Sequence, residues 1–116
     1  MVITAIVFIS LAVLLGLYLI SFVLKKKIPP KGVAIVHGSL AVLGILILII
    51  YALTTTSHHK HWDSIIIFLL AATGGVYLFY KDIRHLKIPK WVALIHGALG
   101  LFGLGWILYH VIGGTH

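Results

Sequence analysis

Four long apolar stretches, parted by short polar ones, make up almost the whole chain. They cover residues 2–24, 33–53, 65–80 (opened by Trp62) and 91–112. Most approach the roughly 20 residues that carry an α-helix across a hydrocarbon core of about 30 Å. The pattern predicts four membrane-spanning helices. The connections are short, so successive helices must alternate up and down. The expected fold is an all-α integral membrane four-helix up-down bundle, one transmembrane domain over residues 1–116. Composition points the same way: 61% of residues are hydrophobic and 9% charged, against about half and a quarter in soluble domains. The first stretch has no basic segment ahead of it and no small-residue cleavage site. Lys25, Lys26 and Lys27 follow it like a stop-transfer signal, so it reads as a retained span rather than a signal peptide.

The polar breaks are as regular as the apolar runs. Lys27-Ile28-Pro29 parts the first two spans and Lys87-Ile88-Pro89 the last two. Proline cannot continue a helix but is accepted at the start of one, so Pro29, Pro30 and Pro89 end one helix and launch the next. Aromatic residues gather near the ends of the spans. Tyr77, Tyr80 and Trp91 would form a belt at one membrane interface, and Trp62, Trp106 and Tyr109 a belt at the other.

The two halves of the chain repeat one another. Residues 31–44 read KGVAIVHGSLAVLG and residues 90–103 read KWVALIHGALGLFG, identical at seven of fourteen positions. Gly16-Leu17-Tyr18-Leu19 matches Gly75-Val76-Tyr77-Leu78 at the same offset of 59. The chain is therefore two helical hairpins of one design, repeat 1 over residues 1–56 and repeat 2 over residues 60–116. Each hairpin holds two spans, so both insert with the same polarity. The repeats are parallel, related by a pseudo-two-fold axis along the membrane normal.

Each repeat carries one histidine inside its second span, His37 or His96, six residues past an interface lysine. That is roughly 9 Å into the membrane. An ionisable side chain inside a span is costly and marks a functional site by default. In an up-down bundle the second and fourth spans lie diagonally, so pseudo-symmetry aims both imidazoles at the central axis. Two neutral imidazoles facing each other form an axial pair for a flat metal macrocycle, and haem iron is held by such ligands. Ala34, Gly38 and Ala41, and likewise Ala93, Gly97 and Gly100, recur at helical spacing beside the histidines. Two readings of them stand: close helix packing through small residues, or room for a porphyrin edge at Gly38 and Gly97. His110 lies fourteen residues beyond His96, nearly four turns, on almost the same face and about 21 Å further along. A histidine of the 58–61 loop (His58, His59 or His61) would have to complete a second site with it. The equivalent position in the first repeat is Tyr51, so symmetry supplies no partner.

This arrangement resembles the transmembrane b-type cytochromes. In that family two haems stack in a four-helix core, with axial histidines on the second and fourth helices spaced as His96 and His110 are. The small di-haem cytochromes of bacterial inner membranes share the four-span layout. The resemblance rests on architecture and on His37, His96 and His110, and Tyr51 departs from it. It implies one b-type haem on His37 and His96, and a second on His110 with an outer-loop histidine. It also implies electron transfer with quinol or another redox carrier, hence a haem-dependent membrane oxidoreductase, and propionates held by Lys31, Lys90 or Arg84.

Charge sets the orientation. The net charge is +7, but eight of the nine Lys and Arg residues sit in the two KIP loops. The positive-inside rule places both loops in the cytoplasm and both termini outside. The basic loops are expected to rest on anionic lipid headgroups, and the charge is no nucleic-acid signal. The chain has no cysteine, which excludes disulfides, thiolate metal sites and covalent haem attachment. It also has no glutamate, only Asp63 and Asp82 at span ends. The small multidrug-resistance exporters, which it matches in size, depend on a glutamate within the first span. A histidine proton relay, a metal site at His58, His61 and Asp63, and a non-redox anchor or assembly subunit are the other readings. A homodimer, or a place in a larger membrane complex, fits any of them. No nucleophile–base pair or phosphate-binding loop is present, so hydrolytic chemistry has no support.

Overall fold

A computed structural model describes residues 1–58 and 60–113 of the chain. Among the described residues there are four α-helices: α1 (Val2–Leu24), α2 (Lys31–Thr54), α3 (Trp62–Ile83) and α4 (Lys90–Ile112). All four are long and apolar enough to cross a membrane, and they form an integral membrane bundle 46 × 21 × 18 Å in extent. At 1.5 Å per residue each helix is about 33–36 Å long, enough for the hydrocarbon core with some excess. His59 and the tail from residue 114 lie outside the described residues.

Helix α1 matches its apolar stretch, while α2, α3 and α4 overrun theirs at polar ends. Helix α3 starts at Trp62 and ends at Ile83, beyond the 65–80 run on both sides. Asp63 in its first turn and Lys81 in its last each complement the helix dipole, so these polar residues favour helix where hydropathy falls away. Helices α2 and α4 begin directly after Pro30 and Pro89, which stand at the N-cap with extended backbone (ψ 126° and 124°).

Helices α1 and α3 end in matching turns. Lys27 N–H donates to the Phe22 carbonyl (2.8 Å) and Lys26 N–H to that of Val23 (3.1 Å). Leu86 N–H donates to Lys81 (2.9 Å) and His85 N–H to Asp82 (3.2 Å). This pair of bonds is the Schellman closure, which needs a left-handed residue just past the helix, usually glycine. Here that residue is Lys26 (φ 58°) or His85 (φ 55°), exactly 59 positions apart in the sequence.

Each helix packs against its neighbours in the chain, and α4 closes the ring against α1. The diagonal pairs, α1 with α3 and α2 with α4, have no Cα atoms within contact range among the described residues. The main cluster of buried apolar residues lies in one half. It consists of Ala5, Ile6 and Ile9 of α1, Ile45, Leu48 and Ala52 of α2, Ile65 and Phe68 of α3, and Ile107 of α4. All of these lie toward the chain termini, and several are repeat mates: Ile6 with Ile65, Ile9 with Phe68, Leu48 with Ile107. Two glycines let the hairpins close there. A Cβ on Gly44 would stand 2.5 Å from Ile9 Cγ1 and 3.2 Å from the Ala5 carbonyl oxygen. One on its mate Gly103 would stand 2.8 Å from Phe68 Cε1.

Candidate functional site

Toward the basic loops the core gives way to the histidine pair. His37 reaches from α2 to α1, where its Nδ1 donates to the Ala12 carbonyl oxygen at 2.7 Å. His96 reaches from α4 to α3 and donates in the same way to Ala71, also at 2.7 Å. A carbonyl oxygen only accepts, so each Nδ1 carries the proton. In the neutral imidazole the lone pair is then on Nε2. Neither Nε2 has a hydrogen-bond partner among the described residues.

The acceptor of each bond is a mid-helix carbonyl that also serves the helix, taking the N–H four residues on. For Ala12 that residue is Gly16, and for Ala71 it is Gly75. A Cβ on Gly16 would lie 2.9 Å from His37 Cε1, and one on Gly75 3.0 Å from His96 Cε1. Only a bare backbone at these positions lets the ring lie against the helix and reach the carbonyl. Ala12 and Ala71 are themselves buried, at 3% and 6% exposure. The Ala-x-x-x-Gly pairs of α1 and α3 are thus the cradles of the two histidines. In the sequence Gly16 and Gly75 stand out only as repeat mates, at the same offset of 59 as His37 and His96.

The two rings meet across the bundle. Their centroids are 6.0 Å apart and their planes nearly perpendicular (89°). The diagonal placement of α2 and α4 brings them together from opposite sides, and both are only partly buried. Gly16 lies eight residues before the end of α1, so the pair sits about 12 Å in from the basic-loop end.

The glycines next to the histidines in sequence take no part in this contact. Apart from the surrounding turn of their own helix, nothing described lies within 4 Å of where a Cβ on Gly38 or Gly100 would stand. Gly97 faces only Ile20 Cδ1, at 3.6 Å. Of the cations considered for propionates, Lys31 is bonded to buried Asp82 (Nζ to Oδ1 3.0 Å). Arg84 lies over the Tyr80 ring at 5.6 Å. Lys90 lines a cleft between the KIP loops.

At the opposite end His110 is partly exposed. Its Nδ1 bonds the Trp106 carbonyl of its own helix (2.9 Å). Its ring lies against those of Trp106 and Tyr109, with centroids at 4.7 and 5.4 Å. His61 is buried beside Tyr51, with ring centroids 5.9 Å apart. His58 is exposed, and His59 lies outside the described residues. No group of three or more metal-binding side chains occurs among the described residues. Asp63 accepts hydrogen bonds from the Ser64 N–H (2.9 Å) and from the Trp106 indole.

Compared with protein-family models, curated proteins and solved structures, the chain matches none.

Proposed function

We propose that His37 and His96 are the axial ligands of one b-type haem and that the protein is a small membrane cytochrome. The observation that carries this reading is the paired imidazole geometry. Both rings have Nδ1 tied to a backbone carbonyl and Nε2 left without a partner, and their centroids stand 6.0 Å apart. His37 and His96 would hold the iron through Nε2, and their centroid separation is compatible with metal–nitrogen bonds of about 2 Å to both. A metal-bound histidine almost always donates its other ring N–H to a carbonyl or carboxylate, which fixes the tautomer and raises ligand basicity. Ala12 and Ala71 provide such acceptors.

When bound, a b-type haem supplies one-electron oxidation and reduction at its iron. The chain's own residues hold and orient it. Gly16 and Gly75 keep the two walls flat at the level of the histidines. The packed terminal half closes one side of the site and the looser half leaves the other accessible. The proposal takes quinol, or another one-electron carrier, as redox partner in a bacterial inner membrane. The basic loops face the cytoplasm and the termini lie outside. It rests on the inner pair. A second haem on His110 and an outer-loop histidine is no part of the reading.

The test is the absorbance spectrum of protein purified from haem-replete cells. A Soret band, with an α band on reduction, at one haem per chain is expected. His37→Gln and His96→Gln should each abolish both bands. A colourless wild-type protein, or full bands in both variants, would overturn the proposal. A second reading is favoured by the same bonds: each histidine already ties two helices together, worth about 1 kcal/mol or less in a membrane. As a brace, glutamine retains a donor for the Ala12 or Ala71 carbonyl, and the protein would be colourless throughout.

A further inference from the structure

The two KIP loops and the adjoining helix ends border an open cleft of about 1040 Å³ lined by five lysines: Lys26, Lys27, Lys81, Lys87 and Lys90. His85 adds a sixth basic group, and Val23 and Trp91 give an apolar wall. The chain has only two acidic side chains. Asp82 lines the cleft but is paired with Lys31, which does not line it. Asp63 is nineteen residues away along α3, about 28 Å toward the other end. The cleft therefore sets five lysines against one carboxylate that is already paired, and the rest of the counter-charge must come from outside.

The cleft repeats the symmetry of the chain. Lys27 and Lys87, Ile28 and Ile88, and Pro29 and Pro89 line it in pairs. So do Lys26 and His85, the two left-handed residues that close α1 and α3. Glycine is the unstrained choice at such a position, and a side chain there is held against a backbone preference. In both repeats the strained position carries a basic residue facing one shared cleft.

We propose that this cleft binds the headgroup of an anionic phospholipid bearing two phosphodiesters, a diphosphatidylglycerol, with one phosphate toward each hairpin. Position, charge and shape all bear on the choice. The cleft lies at the end of the spans, at headgroup depth. A headgroup with two phosphates neutralises more of the five lysines than one with a single phosphate, and its two-fold form meets both halves of a pseudo-two-fold site. Inorganic diphosphate also presents two linked phosphates but has no acyl chains to lie against Val23 and Trp91.

The experiment uses the purified full chain in neutral detergent, with binding read by native mass spectrometry and thermal shift at physiological salt. Mixed micelles carry diphosphatidylglycerol, phosphatidylglycerol or phosphatidylcholine, and inorganic diphosphate forms a separate arm. Diphosphatidylglycerol is expected to bind at least tenfold more tightly than either other lipid and than diphosphate. K27Q/K87Q should weaken it at least tenfold. K25Q/K60Q, which removes equal charge outside the cleft, should leave it within twofold. K26G should raise the melting temperature of the lipid-free protein and weaken lipid binding together. Binding that persists in H37A separates this site from the histidine pair. Equal affinity for phosphatidylcholine, equal affinity for free diphosphate, the same loss in both double variants, or loss in H37A would each overturn the inference.

Discussion

The two halves of this bundle are built from the same repeat and packed differently. Toward the termini, Ile6, Ile9, Leu48, Ile65, Phe68 and Ile107 interlock, and Gly44 and Gly103 let the hairpins close. Toward the basic loops, two partly exposed imidazoles and a lysine-lined cleft take the place of that core. Lipid tails are as apolar as leucine, so burial alone does not hold membrane helices together, and close packing does. Stability should therefore reside in the terminal half. The loop half, which gives up packing, is where a ligand has room.

Substitutions that separate stability from ligand binding test this division. The largest effect is expected from Gly44→Val, whose side chain collides with Ile9 and the Ala5 backbone. Overpacking of this kind costs about 3 kcal/mol and should appear as a lower midpoint in denaturant titration in micelles. Leu48→Ala, at a fully buried position, leaves a cavity and should cost about 2 kcal/mol by the same measurement. If either proves neutral, the terminal half is not what holds the bundle. Asp82→Asn breaks the pair with Lys31. Because Lys31 is 40% exposed, water screens the interaction and the loss should be about 1 kcal/mol, shrinking at high salt. His96→Ala should cost about 1 kcal/mol or less in the cofactor-free protein; a larger loss would make the histidines structural. Gly75→Ala displaces the His96 ring while barely changing cofactor-free stability. If His96 holds the proposed haem, the substitution should weaken haem retention about tenfold, as changes behind a metal ligand do, and spectral titration reads it.

The smallest effect is expected at Ser64. It is fully buried, and its Oγ has no partner among the described residues. Its repeat mate is Ala5, equally buried. Ser64→Ala should be neutral or stabilising by up to about 1 kcal/mol. A clear loss would mean that the hydroxyl has a use the packing does not reveal.

Much of this protein is legible in its sequence, and the legible part is local. Span length and apolarity mark the four helices, and the prolines mark where α2 and α4 begin. The self-similarity around His37 and His96 marks the hairpin repeat. The histidines' distance from Lys31 and Lys90 gives their depth by counting residues. What the sequence leaves open is which faces meet. A soluble helix shows its buried side by amphipathic patterning, but these helices are apolar all round, because lipid and core accept the same side chains. Only the packed bundle decides that the imidazoles lie over Gly16 and Gly75 and bond Ala12 and Ala71, rather than sit among Gly38, Gly97 and Gly100. It also decides that Asp82 pairs with Lys31, 51 residues away, so the one carboxylate of the cleft is already engaged. Helix rotation and crossing depend on every contact at once, so no local pattern in the chain records them.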